Sequence, residues 1–203
     1  MHFPIKFGAS KIEEPLKVPY TDEQSKERII QHLLEYYADA VPGQEIVIVC
    51  IGTDRSTGDS LGPLVGSKLL QMGLRDQHLF GTLDQPVHAM NLKENIQRIQ
   101  QLFQQPFIVA VDACLGQSSS VGHIQVGRGP VKPGAGVNKD LPPVGDIHLT
   151  GIVNVGGFME YFVLQNTRLS IVFHMADVIA ECLYQAQLRL HRPIPATAAR
   201  LDG

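Results

Sequence analysis

Glu45-Ile46-Val47-Ile48-Val49-Cys50-Ile51-Gly52 is the stretch that decides the fold. It is apolar and β-branched without alternation, the pattern of a strand covered on both faces. A polar turn follows, Thr53-Asp54-Arg55-Ser56-Thr57-Gly58-Asp59-Ser60-Leu61-Gly62, and a helical pattern then runs from Leu61 to Met72. Pro63 falls in the first turn of that helix and Gly73 just past its end, where each residue type is favoured. A second strand reads from His78 to Asp84, a helix from Asn91 to Phe103, and a third strand over Phe107-Ile108-Val109-Ala110-Val111-Asp112. The order β-α-β-α-β implies a mostly parallel sheet with helices on both faces, a three-layer α/β fold.

On the N-terminal side, residues 1–20 carry Pro4, Gly8, Pro15 and Pro19 without periodicity and read as an extended arm. Thr21-Asp22-Glu23-Gln24 has the spacing of a capping box with Thr21 as the cap. The helix it opens carries Ile29, Ile30, Leu33, Leu34 and Tyr37 on one stripe and stops at Pro42-Gly43. Beyond Cys114 the chain turns rich in Gly, Pro and Ser. Two alternating pieces, 122–126 and 146–149, read as short strands there. Helices near 154–165 and 169–189 close the pattern, and the tail from His191 reads as mobile. The expected organisation is an arm over 1–20, one α/β domain over 21–190 and a tail over 191–203.

Composition narrows the function classes. The chain has 203 residues, 44% hydrophobic and 18% charged, with a net charge of −3. That balance offers no basic footprint for nucleic acid, and the absence of Trp removes the strongest stacking platform for single strands. No run approaches the ~20 apolar residues that span a bilayer, and no secretion signal is visible at the N-terminus. Three scattered cysteines, Cys50, Cys114 and Cys182, form no zinc spacing and suggest reduced thiols in a cytoplasmic protein. Apolar helices at both ends of the fold fit a homodimer.

Asp59 and Asp112 are the chemistry-bearing pair. Each lies at or just beyond the carboxyl end of a buried strand, where open α/β sheets place their sites. Asp59 has the bland alternative of charging a helix start. An acid directly after Ile-Val-Ala-Val costs several kcal/mol to desolvate unless compensated, so Asp112 points to a purpose. Two carboxyls facing one cleft share a proton, because mutual repulsion raises one pKa. The charged member can activate water while the protonated one polarises a carbonyl. Gly58, Ser60 and the following helix N-terminus are candidates for oxyanion contacts. Asp54, Asn138 and Lys139 are candidates to line the substrate cleft. Of His88, His123 and His148, His148 is the preferred third polar group.

Two other motifs fall away. Gly58-Asp59-Ser60-Leu61-Gly62 satisfies G-x-S-x-G, but several polar residues separate Ser60 from the strand, and no Asp stands three residues before any His. The glycines form neither G-x-G-x-x-G nor a Walker loop, so dinucleotide binding is disfavoured.

Ile51-Gly52-Thr53-Asp54 with Thr57-Gly58-Asp59-Ser60-Leu61-Gly62-Pro63, then Val111-Asp112-Ala113, then Pro133-Gly134-Ala135-Gly136-Val137-Asn138-Lys139, resemble three segments of the germination proteases of endospore formers. The chain resembles still more the small YyaC-type sporulation proteins grouped with them as spore proteases. The resemblance implies a hydrogenase-maturation-protease-like (phosphorylase/hydrolase-like) fold and an aspartic-type endopeptidase that needs no cofactor. It implies Asp59 and Asp112 as the catalytic pair and small acid-soluble spore proteins as substrates. Two alternatives stay open. One is a non-catalytic sporulation binding or regulatory protein. The other is a nickel-sensing maturation-type endopeptidase using Asp59, Asp112 and His148.

Overall fold

The computed structural model describes residues 14–41, 43–74, 76–133 and 141–190. Asn138, Lys139, most of the Pro133–Lys139 loop and the 191–203 tail lie outside the described residues. The architecture is α/β with one six-stranded sheet flanked by helices. The elements are β1 (Leu16–Pro19), α1 (Glu23–Tyr37), β2 (Ile46–Cys50), α2 (Leu61–Gln71), β3 (Leu79–Phe80), α3 (Leu92–Leu102), β4 (Phe107–Gly116), β5 (His123–Arg128), β6 (Ile147–Val155), α4 (Glu160–Gln165) and α5 (Leu169–Leu190).

The sheet order is β1-β5-β6-β4-β2-β3. β3, β2, β4 and β6 run parallel, and β5 is antiparallel to both β6 and β1. The last residues of the expected arm are therefore the edge strand of the sheet. From β2 the chain crosses to β3 on one side and returns to β4 on the other. The carboxyl ends of β2 and β4 thus flank the point where the strand order reverses, the favoured place for a site in such sheets.

Strict alternation along the central strands separates two cores. Ile48, Cys50, Val109, Val111, Ile147 and Leu149 face α1, α2 and α5. Val47, Val49 and Ala110 face α3 and the loops carrying Val87, Val131 and Val144. Each fully buried aliphatic side chain contributes about 1.5–3 kcal/mol, so the doubly covered strands anchor the molecule. On the first face Lys68 Nζ meets Asp177 at 2.5 Å, joining α2 to α5. Arg189 grips Glu27 through two bonds of 2.7 and 2.9 Å, joining α5 to α1.

Several sequence expectations need correction. Asp22, not Thr21, caps α1, its carboxylate accepting from the Gln24 N–H at 3.0 Å. β3 has only two residues, because Gly81 turns the chain with φ +94° and lies against the Cys50 carbonyl. β4 continues past Asp112 to Gly116, held by β6 alone after β2 departs. The expected helix over 154–165 starts late: β6 runs to Val155 and α4 begins at Glu160, since Gly156-Gly157 interrupts the pattern. Leu169–Leu190 is long and apolar enough, by length and composition alone, to cross a bilayer. Half of its most apolar window, 50%, is nevertheless buried inside the domain.

Candidate active site

The loop bearing Asp59 is pinned from both ends. β2 releases the chain at Ile51, and Gly52 turns it with φ +146°, a conformation that a side chain disfavours. A Cβ on Gly52 would overlap the Asp59 carbonyl oxygen. That same oxygen accepts from the Thr53 N–H at 3.1 Å, while the Gly52 N–H donates to Val87 at 2.8 Å. At the far end Gly62 lies on the Ile51 carbonyl, so α2 starts directly over the end of β2. Asp59 sits between, in a single 3-10 turn over Gly58–Ser60.

Asp112 stands in mid-strand. Its neighbour Val111 is the last β4 residue paired with β2, opposite Cys50. Where β2 turns away, the edge of β4 opens on that side, and Asp112 faces the opening. Asp59 and Asp112 line one cleft of about 650 Å³, with Arg55, Ser56, His88, Met90 and Tyr161 among its walls. Asp112 is half-buried in the wall of that cleft.

The two carboxyls differ electrostatically. Burial pushes Asp112 up to about 8, the Ala113 N–H at 2.8 Å opposes the shift, and the Asp59 charge adds to it. Burial also raises Asp59, opposed by the Ser56 hydroxyl. Near neutral pH Asp112 therefore holds a proton, and its neighbour is the member favoured to be charged. Ser56 is only 6% exposed, and its hydroxyl faces Asp59 without making a hydrogen bond of good geometry among the described residues. Such a group at the wall of a cleft calls for a functional account.

The remaining candidates separate. Ser60 donates its hydroxyl to the Thr57 carbonyl at 2.7 Å and its N–H to the same oxygen at 3.3 Å, so it is neither nucleophile nor oxyanion donor. Gly58 presses against Leu164 of α4, away from the cleft. Asp54 is exposed and is not among the cleft walls. His148 shares a sheet face with Asp112 but pairs with Ala110, one pleat earlier. Its Nδ1 lies 2.9 Å from the Gly129 carbonyl, outside the cleft. His123 is likewise tied to the Ser120 carbonyl at 3.0 Å.

His88 is the histidine that the cleft holds. Its loop position gave no periodic signal, and only the bridge of Ile51 to Val87 brings it beside β2. Ser56, on the β2–α2 loop, and Tyr161, on α4, were not among the sequence candidates. The Cys114 thiol is pushed up to about 11, first by burial, and is not poised as a nucleophile. Among the described residues no group of three or more His, Cys, Asp and Glu side chains is placed to hold a metal ion. The set Asp59, Asp112 and His148 is not assembled, so these residues do not fit a nickel site.

Comparison with known proteins agrees with this fold. A [NiFe] hydrogenase maturation protease, HycI from Thermococcus kodakarensis KOD1, superposes with a TM-score of 0.53 over 76% of this chain and 97% of its own. At 16% identity that likeness is one of fold. A Bacillus subtilis (strain 168) protein, "Uncharacterized protein YyaC", is 58% identical over 180 residues, covering 88% of this chain and 87% of the relative. Residues 17–182 match the family described as "Protein of unknown function (DUF1256)". The match takes in every element from β2 to β6 together with both cleft aspartates, and the chain belongs to that family.

Proposed function

We infer that the chain is an aspartic-type endopeptidase whose substrates are small proteins. The observation that carries this reading is the pairing of Asp59 and Asp112 in one cleft with unequal tendencies to ionise. The fold shared with a maturation protease supports it. The sequence resemblance to germination proteases points to small acid-soluble spore proteins as substrates, inside the sporulating cell or spore.

The chemistry follows from the two environments. Ionised Asp59 takes a proton from water as the water oxygen attacks the scissile carbonyl carbon. Protonated Asp112 donates a hydrogen bond to the carbonyl oxygen, where negative charge develops. Collapse of the tetrahedral intermediate breaks the C–N bond, and the proton on Asp59 passes to the leaving amine. The products are one carboxylic acid and one amine, and the pair returns to its starting ionisation. No step requires a metal.

Purified chain incubated with small acid-soluble spore proteins yields defined fragments by mass spectrometry, also in the presence of chelator. Asp59→Asn and Asp112→Asn each lose that cleavage by at least ~10³-fold while remaining folded. Full activity in either folded variant removes the mechanism. Tight binding without fragments from the native chain points instead to a binding protein.

A further inference from the structure

His88 is held on its loop by a small network of hydrogen bonds. Its backbone N–H donates to Asn91 Oδ1 at 2.8 Å, and the Asn91 amide donates to the Pro86 carbonyl at 2.9 Å. Its ring Nδ1 lies 3.2 Å from the Met90 backbone nitrogen. A backbone N–H can only donate, so Nδ1 is the acceptor and the neutral ring carries its proton on Nε2. Nε2–H makes no hydrogen bond of its own among the described residues, and the residue walls the cleft that holds Asp59 and Asp112. The ring is thus oriented by the backbone while its donor is left uncommitted.

The reaction has a use for such a donor. An oxygen acquiring negative charge in a desolvated cleft accepts two hydrogen bonds, and removing one donor from such a pair typically costs ~10²–10³ in rate. Asp112 supplies one. Three backbone donors around the Asp59 turn are already spent: the Gly52 N–H on Val87, the Thr53 N–H on Asp59 and the Ser60 N–H on Thr57. We propose that His88 is a catalytic residue of the cleft, its Nε2–H donating to the scissile carbonyl oxygen beside Asp112. This assignment rests on the peptidase reading above and extends it to the second oxyanion contact. His88 forms and breaks no covalent bond; it holds the carbonyl oxygen while Asp59 handles the protons.

Three variants test it with small acid-soluble spore proteins as substrate. An Asn side chain places an acceptor where Nδ1 stands, and a Gln amide reaches the position of Nε2. His88→Asn therefore keeps the Met90 contact and loses the donor, and kcat falls ~10²-fold or more with KM within about threefold. His88→Gln restores at least a tenth of the native kcat. His88→Phe behaves as His88→Asn. Thermal unfolding of the three confirms that the fold is intact. Native kcat in a folded His88→Asn, or a rise in KM alone, overturns the oxyanion role while the Asp59–Asp112 mechanism stands. A native chain that cleaves nothing removes the peptidase reading and this role with it.

Discussion

Asp112 links stability to pH in a direction opposite to that of a salt-bridged acid. Burial places its carboxyl at about 8 in the folded chain, against roughly 4 for an unperturbed aspartate. Below about pH 4 both states hold the proton and folding bears no penalty. Between about 4 and 8 the unfolded chain releases its proton first, so stability falls as pH rises, and above about 8 the penalty is constant. Asp112→Asn cannot ionise. Its free energy of unfolding from urea titration should match that of the native protein near pH 4 and exceed it at pH 8 by ~1–3 kcal/mol, discounted for the partial exposure of the side chain. A difference that does not change with pH removes the raised carboxyl. The same ionisation sets an alkaline limb for cleavage, with kcat/KM declining as pH rises through about 8, because Asp112 must be protonated to bind the carbonyl oxygen. Both aspartates stood out in the sequence, since an acid at the end of an apolar run is conspicuous. Ser56 did not, and His88 stood only as one of three candidate histidines behind His148, because loop residues gain their surroundings only when the chain closes around them. His148 misled for a related reason: alternation along a strand tells which face a side chain takes, not how far along the sheet it lies.

The β2–α2 unit is the device that delivers Asp59. Gly62 lies on the Ile51 carbonyl with no room for a Cβ, so the helix begins closer to the strand end than any side chain would permit. Gly62→Ala should push α2 away from β2, lower stability by ~1–3 kcal/mol and carry Asp59 out of register with Asp112. Thermal unfolding and cleavage assays measure the two effects. An unchanged melting temperature means that the contact is not tight. The unit was plain in the sequence because its strand, turn and helix each have a strong local pattern. The neighbouring elements were less plain. β4 overruns Asp112 because β6 pairs with it as far as Gly116, and pairing partners are not written in a strand's own residues. β3 is shorter than its apolar pattern suggests, because Gly81 must bend beneath Cys50. β6 absorbed residues expected to be helical because pairing with β4 as far as Val155 outweighs a weak local preference.

Two of the molecule's concavities lie at opposite ends of its sheet. One is the aspartate cleft at the carboxyl ends of β2 and β4. The other, of about 630 Å³, lies at the amino end of β2 between Ile46, Leu74, Tyr184 and Leu188. Doubly covered strands separate them, and a packed core transmits small changes poorly unless it has two discrete arrangements. Leu188→Ala should therefore leave kcat/KM unchanged and shift stability by no more than about 0.5–1 kcal/mol, as expected for a side chain that is 40% exposed. A marked loss of cleavage in that variant would reveal coupling between the two ends. The fold class and the candidacy of Asp59 and Asp112 were determined by sequence alone, because burial on both faces of a parallel strand imposes an unbroken apolar run that needs no partner to be read. The meeting of the two aspartates in one cleft, the exclusion of Ser60 and His148 from it and the admission of His88 were decided by tertiary structure. Strand order and the crossing of loops over a sheet depend on contacts between residues far apart in the chain, and no local pattern encodes them.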